Sequence, residues 1–547
     1  MSALPLPRLP ALSLAGLALA ALVSLPLLAV LLAAAVPAGA VWAHIAATTL
    51  PEMLANSAML AALVAAMAGS AGALTAWLVT ACRFPGHRVL EVALLLPLAM
   101  PAYVSAYAYT WLLDAAGPVQ SAIRAATGLT WREMAWFPDI RSLPGAALVL
   151  AMVLYPYVYL LCRNAFLGQS TCLVEVSRTL GHSLGQTFLR VALPLARPAL
   201  AAGLGLALME VLADFGTVQH FGVRTLTTGI YETWFGLEDR AAASQLAAAL
   251  LGCVAMLLLL ERLARGGRRF HPTTTRHPPF RPVALKGVLG LAAMLCCLAP
   301  VVLGFLLPAG TLLRLMLEAG DPLALRGLMP FATNSLLLSG LTALLAVALA
   351  AVLAWGARLY AGAAPRWALR IAGLGYALPG SVIAVGTLMP FGLFDNALDG
   401  WARTHLGLSV GLVLSGSVAA LIFAYLVRFM AVALGSLESG LARLKPSMRD
   451  AARSLGASGG RAIWRVEVPL ARGAMLSAAI LVFVDTMKEL PATLIIRPFN
   501  FDTLAVRVYT LASDERLAEA STGALLIVLV GLLPLWVLTR AMRRDQA

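Results

Sequence analysis

Four acidic residues in apolar surroundings carry the chemistry this sequence offers. Glu210 and Asp214 are four apart, and Asp485 and Glu489 repeat that spacing 275 positions later. Ionisable side chains inside a membrane segment are costly, and they persist where they face a cavity or one another. A spacing of four predicts one helix face for each pair. Counted from Pro198 at about 1.5 Å per residue, Glu210 lies about 18 Å along its segment and Asp214 about 24 Å. Two roles fit. The acids pair with Lys488, Arg224 or span ends and hold the two halves of the chain together, or they ring a central pathway where they attract a cation or shape a gate. Gly216 and Pro491, also 275 apart, disfavour helix just beyond the acids, and a membrane protein tolerates irregular backbone beside a cavity. Tyrosines at 103, 107, 109, 155, 157 and 159 fit an interfacial aromatic belt or contact with a metal or chelate.

Other chemistries lack their residues. A phosphate-binding loop needs Gly-Lys-[Ser/Thr], and the lysines, Lys286, Lys445 and Lys488, are none of them preceded by glycine. The seven histidines form no H-E-x-x-H, which argues against a zinc-dependent membrane hydrolase. Six cysteines, Cys82, Cys162, Cys172, Cys253, Cys296 and Cys297, show no C-x-x-C spacing and read as small buried residues.

The elements that must position these acids are membrane spans. The 547 residues are 61% hydrophobic and 12% charged, with mean hydropathy +0.86, whereas a soluble protein carries about twice that charge. About 20 apolar residues cross a bilayer as a helix, which predicts an all-α chain with twelve spans. They fall near 12–38, 56–81, 89–113, 143–162, 199–221 and 243–260, then 285–307, 334–357, 371–394, 407–430, 473–496 and 522–539. The first is too long for a signal-peptide core and reads as an uncleaved span. Asn56-Ser57 matches Asn334-Ser335, Trp77 matches Trp355, and Pro101 matches Pro379, each 278 apart. The chain is therefore read as two parallel six-helix repeats, 1–262 and 285–547, joined by a basic linker, 263–284.

With the N-terminus in the cytoplasm, 28 of the 40 Lys and Arg residues fall on the inner side, among them Arg428. That bias fits the positive-inside rule and puts both termini in the cytoplasm. The basic excess then reflects cytoplasmic loops and contact with lipid, not nucleic acid. Counted the same way, 7 acids are inside and 19 are outside or within spans, so an external partner meets an acidic surface.

Between the fourth and fifth spans of each half lies a polar loop that occurs twice. Glu175-Val-Ser-Arg-Thr-Leu-Gly181 with Leu193-Pro194 matches Asp450-Ala-Ala-Arg-Ser-Leu-Gly456 with Val468-Pro469, every landmark 275 apart. The pattern predicts a helix starting near the acid, a glycine reversal, an amphipathic stretch, and a proline that stops one helix where the next begins. Two matched grips facing the cytoplasm imply a partner with two equivalent subunits.

This loop resembles the E-A-A, three residues, G, nine residues, I-x-L-P signature of permease subunits of binding-protein-dependent ABC importers. Val-Ser stands for Ala-Ala in the first copy and Asp450 for Glu in the second. The resemblance implies a type I permease fold and coupling helices formed around Glu175, Gly181, Leu193, Pro194, Asp450, Gly456, Val468 and Pro469. It also implies an ATP-binding homodimer that holds ATP and magnesium while this chain binds no cofactor, a periplasmic binding protein, and residence in the inner membrane. The fused halves and the segments after the acids, Ala213-Asp-Phe-Gly-Thr-Val-Gln-His-Phe-Gly-Val and Asp485-Thr-Met-Lys-Glu-Leu-Pro-Ala-Thr, are similar to ferric-iron uptake permeases. Iron(III) is then the expected cargo along Glu210, Asp214, Asp485 and Glu489. Thiamine and polyamines, also cations, stay open, as does an ion-driven six-plus-six secondary transporter.

Overall fold

The computed structural model describes residues 11–36, 39–169, 176–177, 179–265, 282–319, 322–359, 362–442, 444 and 446–544. Among these residues ten helices are long and apolar enough to cross a membrane, and two further pairs of helices, each bent at a short break, bring the count to twelve when each pair is taken as one span. The straight spans of the first half are Leu14–Ala34, Leu50–Ala81, Leu143–Leu167 and Arg240–Ala264. Its third span is His87–Ala99 with Ala102–Thr127, bent by 93°, and its fifth is Leu184–Leu195 with Arg197–Ala213, bent by 75°. The second half runs Gly287–Ala319, Gly327–Leu359, Gly380–Leu406, Val418–Ala442, Gly460–Met487 and Leu517–Trp536.

The residues matched in sequence do matched work. The Asn56 side chain donates to the carbonyl of Arg224 at 2.9 Å, and Asn334 donates to that of Asp502 at 3.0 Å. Beside them the Ser57 hydroxyl accepts from the Leu226 N–H and the Ser335 hydroxyl from the Leu504 N–H. In each half, then, the second span clamps the segment that follows the acids, and buried backbone groups there gain partners they need. Pro101 and Pro379 each follow a 3₁₀ turn and start a helix, with φ of −62° and −58°, the angle a proline ring imposes.

The first span of each half packs against the other half as well as its own. Ala20, Val23 and Val30 of the first span are buried in one cluster with Trp355, Ala384 and Tyr425 of the second half. Reciprocally, Ala293, Cys297 and Val301 of the seventh span are buried with Trp77, Tyr155 and Cys162 of the first. Glycines allow the approach: a Cβ on Gly386 would strike the backbone of Pro26, and one on Gly304 the carbonyl oxygen of Met152. Of the linker expected at 263–284, residues 266–281 lie outside the described residues. Its far end, Val283–Ala284, pairs as a short parallel strand with Cys82–Arg83.

Candidate functional site

Each half builds its acidic segment in the same way. The fifth span ends at Ala213 and a short helix, Gly216–His220, follows. The eleventh ends at Met487 and is followed by Pro491–Ile496. Asp214 therefore stands just past the end of its helix, with ψ 135°, and Glu489 lies past the end of its own. The expectation that each pair shares a helix face fails for this reason: Glu210 and Asp485 ride on the spans, while Asp214 and Glu489 occupy the breaks. Gly216 and Pro491 begin the short helices. A Cβ on Gly216 would lie 2.6 Å from Tyr103 Cβ and 2.9 Å from Leu490 Cδ2, so only glycine lets the two halves meet there.

The acids in the breaks cap those helices. The Asp214 carboxylate accepts from the N–H groups of Thr217 and Val218, both at 3.1 Å, and from the Thr217 hydroxyl at 2.9 Å. Glu489 accepts from the N–H groups of Ala492 at 3.0 Å and Thr493 at 3.1 Å, and from the Thr493 hydroxyl at 2.7 Å. These backbone donors are the exposed N–H groups of a helix start, which a carboxylate satisfies.

All four acids line one cavity of about 120 Å³, together with Tyr103, Tyr157, Tyr376, Arg428 and Lys488. The cations are paired. Lys488 Nζ lies 2.9 Å from Asp485, and Arg428 lies 3.1 Å from Glu489. Glu210 accepts a hydrogen bond of 3.0 Å from the Tyr376 hydroxyl, across the two halves. Arg224, the other partner expected from sequence, contributes its backbone carbonyl to the Asn56 clamp. Of the six tyrosines expected as a belt or as metal contacts, Tyr103 and Tyr157 reach this wall. Tyr155 and Tyr159 are buried and donate to the carbonyls of Leu94 and Glu91, so they tie the third span to the fourth. Among the described residues no three of His, Cys, Asp and Glu come together to hold a metal ion.

Arg428 and Tyr376 are site residues that the sequence reading missed. Hydropathy places the tenth span at 407–430, with Arg428 at a cytoplasmic end, whereas the helix runs Val418–Ala442 and puts it in the middle. An arginine flanked on both sides by apolar residues of one helix is the signal that identifies it.

The repeated loops share their turn. Gly181 and Gly456 have φ of +84° and +85°, the left-handed region in which glycine closes a helix. The N–H of His182 reaches the carbonyl of Ser177, and that of Ala457 the carbonyl of Ala452. Leu180 and Leu455, just before the glycines, are 72% and 89% exposed. Glu175 and the side chain of Asp450 lie outside the described residues. Asp450 itself falls in the helix Pro446–Ser454. Leu193-Pro194 and Val468-Pro469 each follow a π turn, Phe188–Ala192 and Ile463–Glu467. That wider turn carries the chain into the proline without a stop. The first copy bends only after Leu195 and the second continues unbroken from Gly460 to Met487, so proline does not end a helix at either position.

Comparison with known proteins gives a consistent result. The family described as "Binding-protein-dependent transport system inner membrane component" matches twice, over residues 68–268 and 346–544. The chain is 28% identical over 502 residues to the Fe(3+)-transport system permease protein FbpB 2 of Haemophilus influenzae, covering 90% of each chain. It is also 31% identical over 237 residues to the sulfate transport system permease protein CysT of Salmonella typhimurium, which spans 40% of this chain and 80% of that one. To the molybdenum transport system permease protein ModB of Escherichia coli the identity is 29% over 205 residues, 36% of this chain and 86% of the relative.

Proposed function

The chain belongs to the family of binding-protein-dependent transport system inner membrane components, and on that premise we propose that it is the fused type I permease of an ATP-driven iron(III) importer. A periplasmic binding protein delivers the cargo, and an ATP-binding homodimer, holding ATP and magnesium, grips the two cytoplasmic loops at 175–194 and 450–469. Both termini lie in the cytoplasm and the chain sits in the inner membrane. Closure of the ATPase moves the loops, and the loops move the fifth and eleventh spans whose ends carry Glu210, Asp214, Asp485 and Glu489.

The observation that carries the cargo is the likeness to a ferric permease over nine-tenths of both chains. The sulfate and molybdenum relatives cover less than half of this one. Charge at the cavity also favours a cation. Each of its two cationic side chains is already matched to a carboxylate, which leaves no cation for an oxyanion and two carboxylates without one.

The chain, its ATPase and its binding protein reconstituted in liposomes test this. Radiolabelled iron(III) should enter only with ATP on the ATPase side, and a protonophore should leave uptake unchanged. Uptake that follows an imposed ion gradient without ATP replaces the reading with a secondary transporter. Uptake of thiamine or spermidine in place of iron keeps the importer and changes its cargo.

A further inference from the structure

The four acids of the cavity are not equivalent. Asp214 and Glu489 spend their oxygens on backbone N–H groups and a threonine hydroxyl each, and Glu489 also holds Arg428. Asp485 holds Lys488, three residues on. Glu210 accepts one hydrogen bond, from Tyr376, and among the described residues it has no ion pair.

The cause is a difference between the two copies. Arg428 and Lys488 both belong to the second half, and the positions 275 earlier hold Val153 and Ala213. All four of these residues line the cavity. The second half neutralises its own carboxylates, and the first half has lost, or never gained, the means to do so. Around Glu210 the wall supplies phenols from Tyr376 and Tyr157, and the same cavity is lined by Tyr103, which is 6% exposed and whose hydroxyl has no hydrogen-bond partner among the described residues. Carboxylate and phenol oxygens are the donors that a hard cation prefers.

Resting on the pathway reading above, we propose that cation selection lies in the first half alone, at Glu210 with its phenol neighbours, while Asp214, Asp485 and Glu489 maintain the shape of the cavity. A cation that engages Glu210 competes with the bond from Tyr376. Since that bond joins the halves, cargo loading weakens a link that must open for transport.

The test is iron(III) uptake by the assembled complex in liposomes, with iron presented on the binding protein. Glu210→Gln should lower uptake about tenfold, the scale of one lost charge-assisted contact, with the complex still assembled. Removal of the second-half pair together, Asp485→Asn with Lys488→Met, removes both charges of the pair at once and should lower uptake less than Glu210→Gln does. Ala213→Lys gives the first half the same three-residue ion pair that the second half has, and it should depress uptake as Glu210→Gln does. Equal losses from Glu210→Gln and from the double variant overturn one-sided selection but leave the pathway standing. Unchanged uptake in both, in assembled complexes, overturns the pathway as well. If Glu210→Gln fails to assemble, Ala213→Lys decides: retained uptake overturns the proposal, and loss with normal assembly supports it.

Discussion

Asp214 shows how a charge in an apolar segment divides between structure and function. Its carboxylate satisfies two N–H groups at the start of Gly216–His220, and replacing a capping side chain with alanine costs about 0.5–2 kcal/mol. Asp214→Ala should therefore lower the thermal midpoint of the purified complex by about 1 °C, whereas transport per folded molecule falls much less. Loss of transport at an unchanged midpoint would return Asp214 to the cargo. The spacing of the acids was legible in the sequence, but their division was not. Periodicity assigns a helix face on the assumption that the helix continues, and here the break is fixed by Tyr103 and Leu490 pressing on Gly216 from other parts of the fold. Arg428 was hidden by a similar limit. Hydropathy locates a span more firmly than its ends, and an arginine near a misplaced end looks like a loop residue.

At the level of elements the glycine turns were readable, because few residues other than glycine adopt a left-handed conformation at a helix end without strain. Gly181 and Gly456, at φ +84° and +85°, cannot be replaced by proline, whose ring fixes φ near −65°. Gly181→Pro with Gly456→Pro should release the ATPase from membranes, measured as ATPase activity remaining with washed vesicles. Leu180→Asp with Leu455→Asp leaves the backbone conformation intact and changes only the exposed apolar tips. It should weaken retention of the ATPase in the same assay, and if retention and stimulated hydrolysis are normal in both variants, the loops are not the grip. The role of the prolines was not legible. A proline in sequence announces a missing donor, and whether the chain stops or widens into a π turn depends on the neighbouring spans.

For the whole molecule, offsets of 275 and 278 disclosed the duplication and hydropathy counted the spans, yet neither says which span packs against which. Apolar helices are interchangeable to a hydropathy profile; side-chain fit, such as Gly386 against Pro26 and Gly304 against Met152, selects the neighbour. The result is that the first and seventh spans each pack partly against the other half as well as against their own. The two sequence repeats are thus not two separable bodies, which suits a transporter whose halves must move against each other without parting. A chain cut between 266 and 281 and expressed as two fragments should still copurify and take up iron, since these shared spans hold the fragments together without the linker. Truncating residues 1–36 from the first fragment should then expose the second fragment, around Trp355, Ala384 and Tyr425, to proteolysis, and copurification should fall. Damage confined to the first fragment would mean that its leading span packs against its own half alone and that the contact with the other half is wrong.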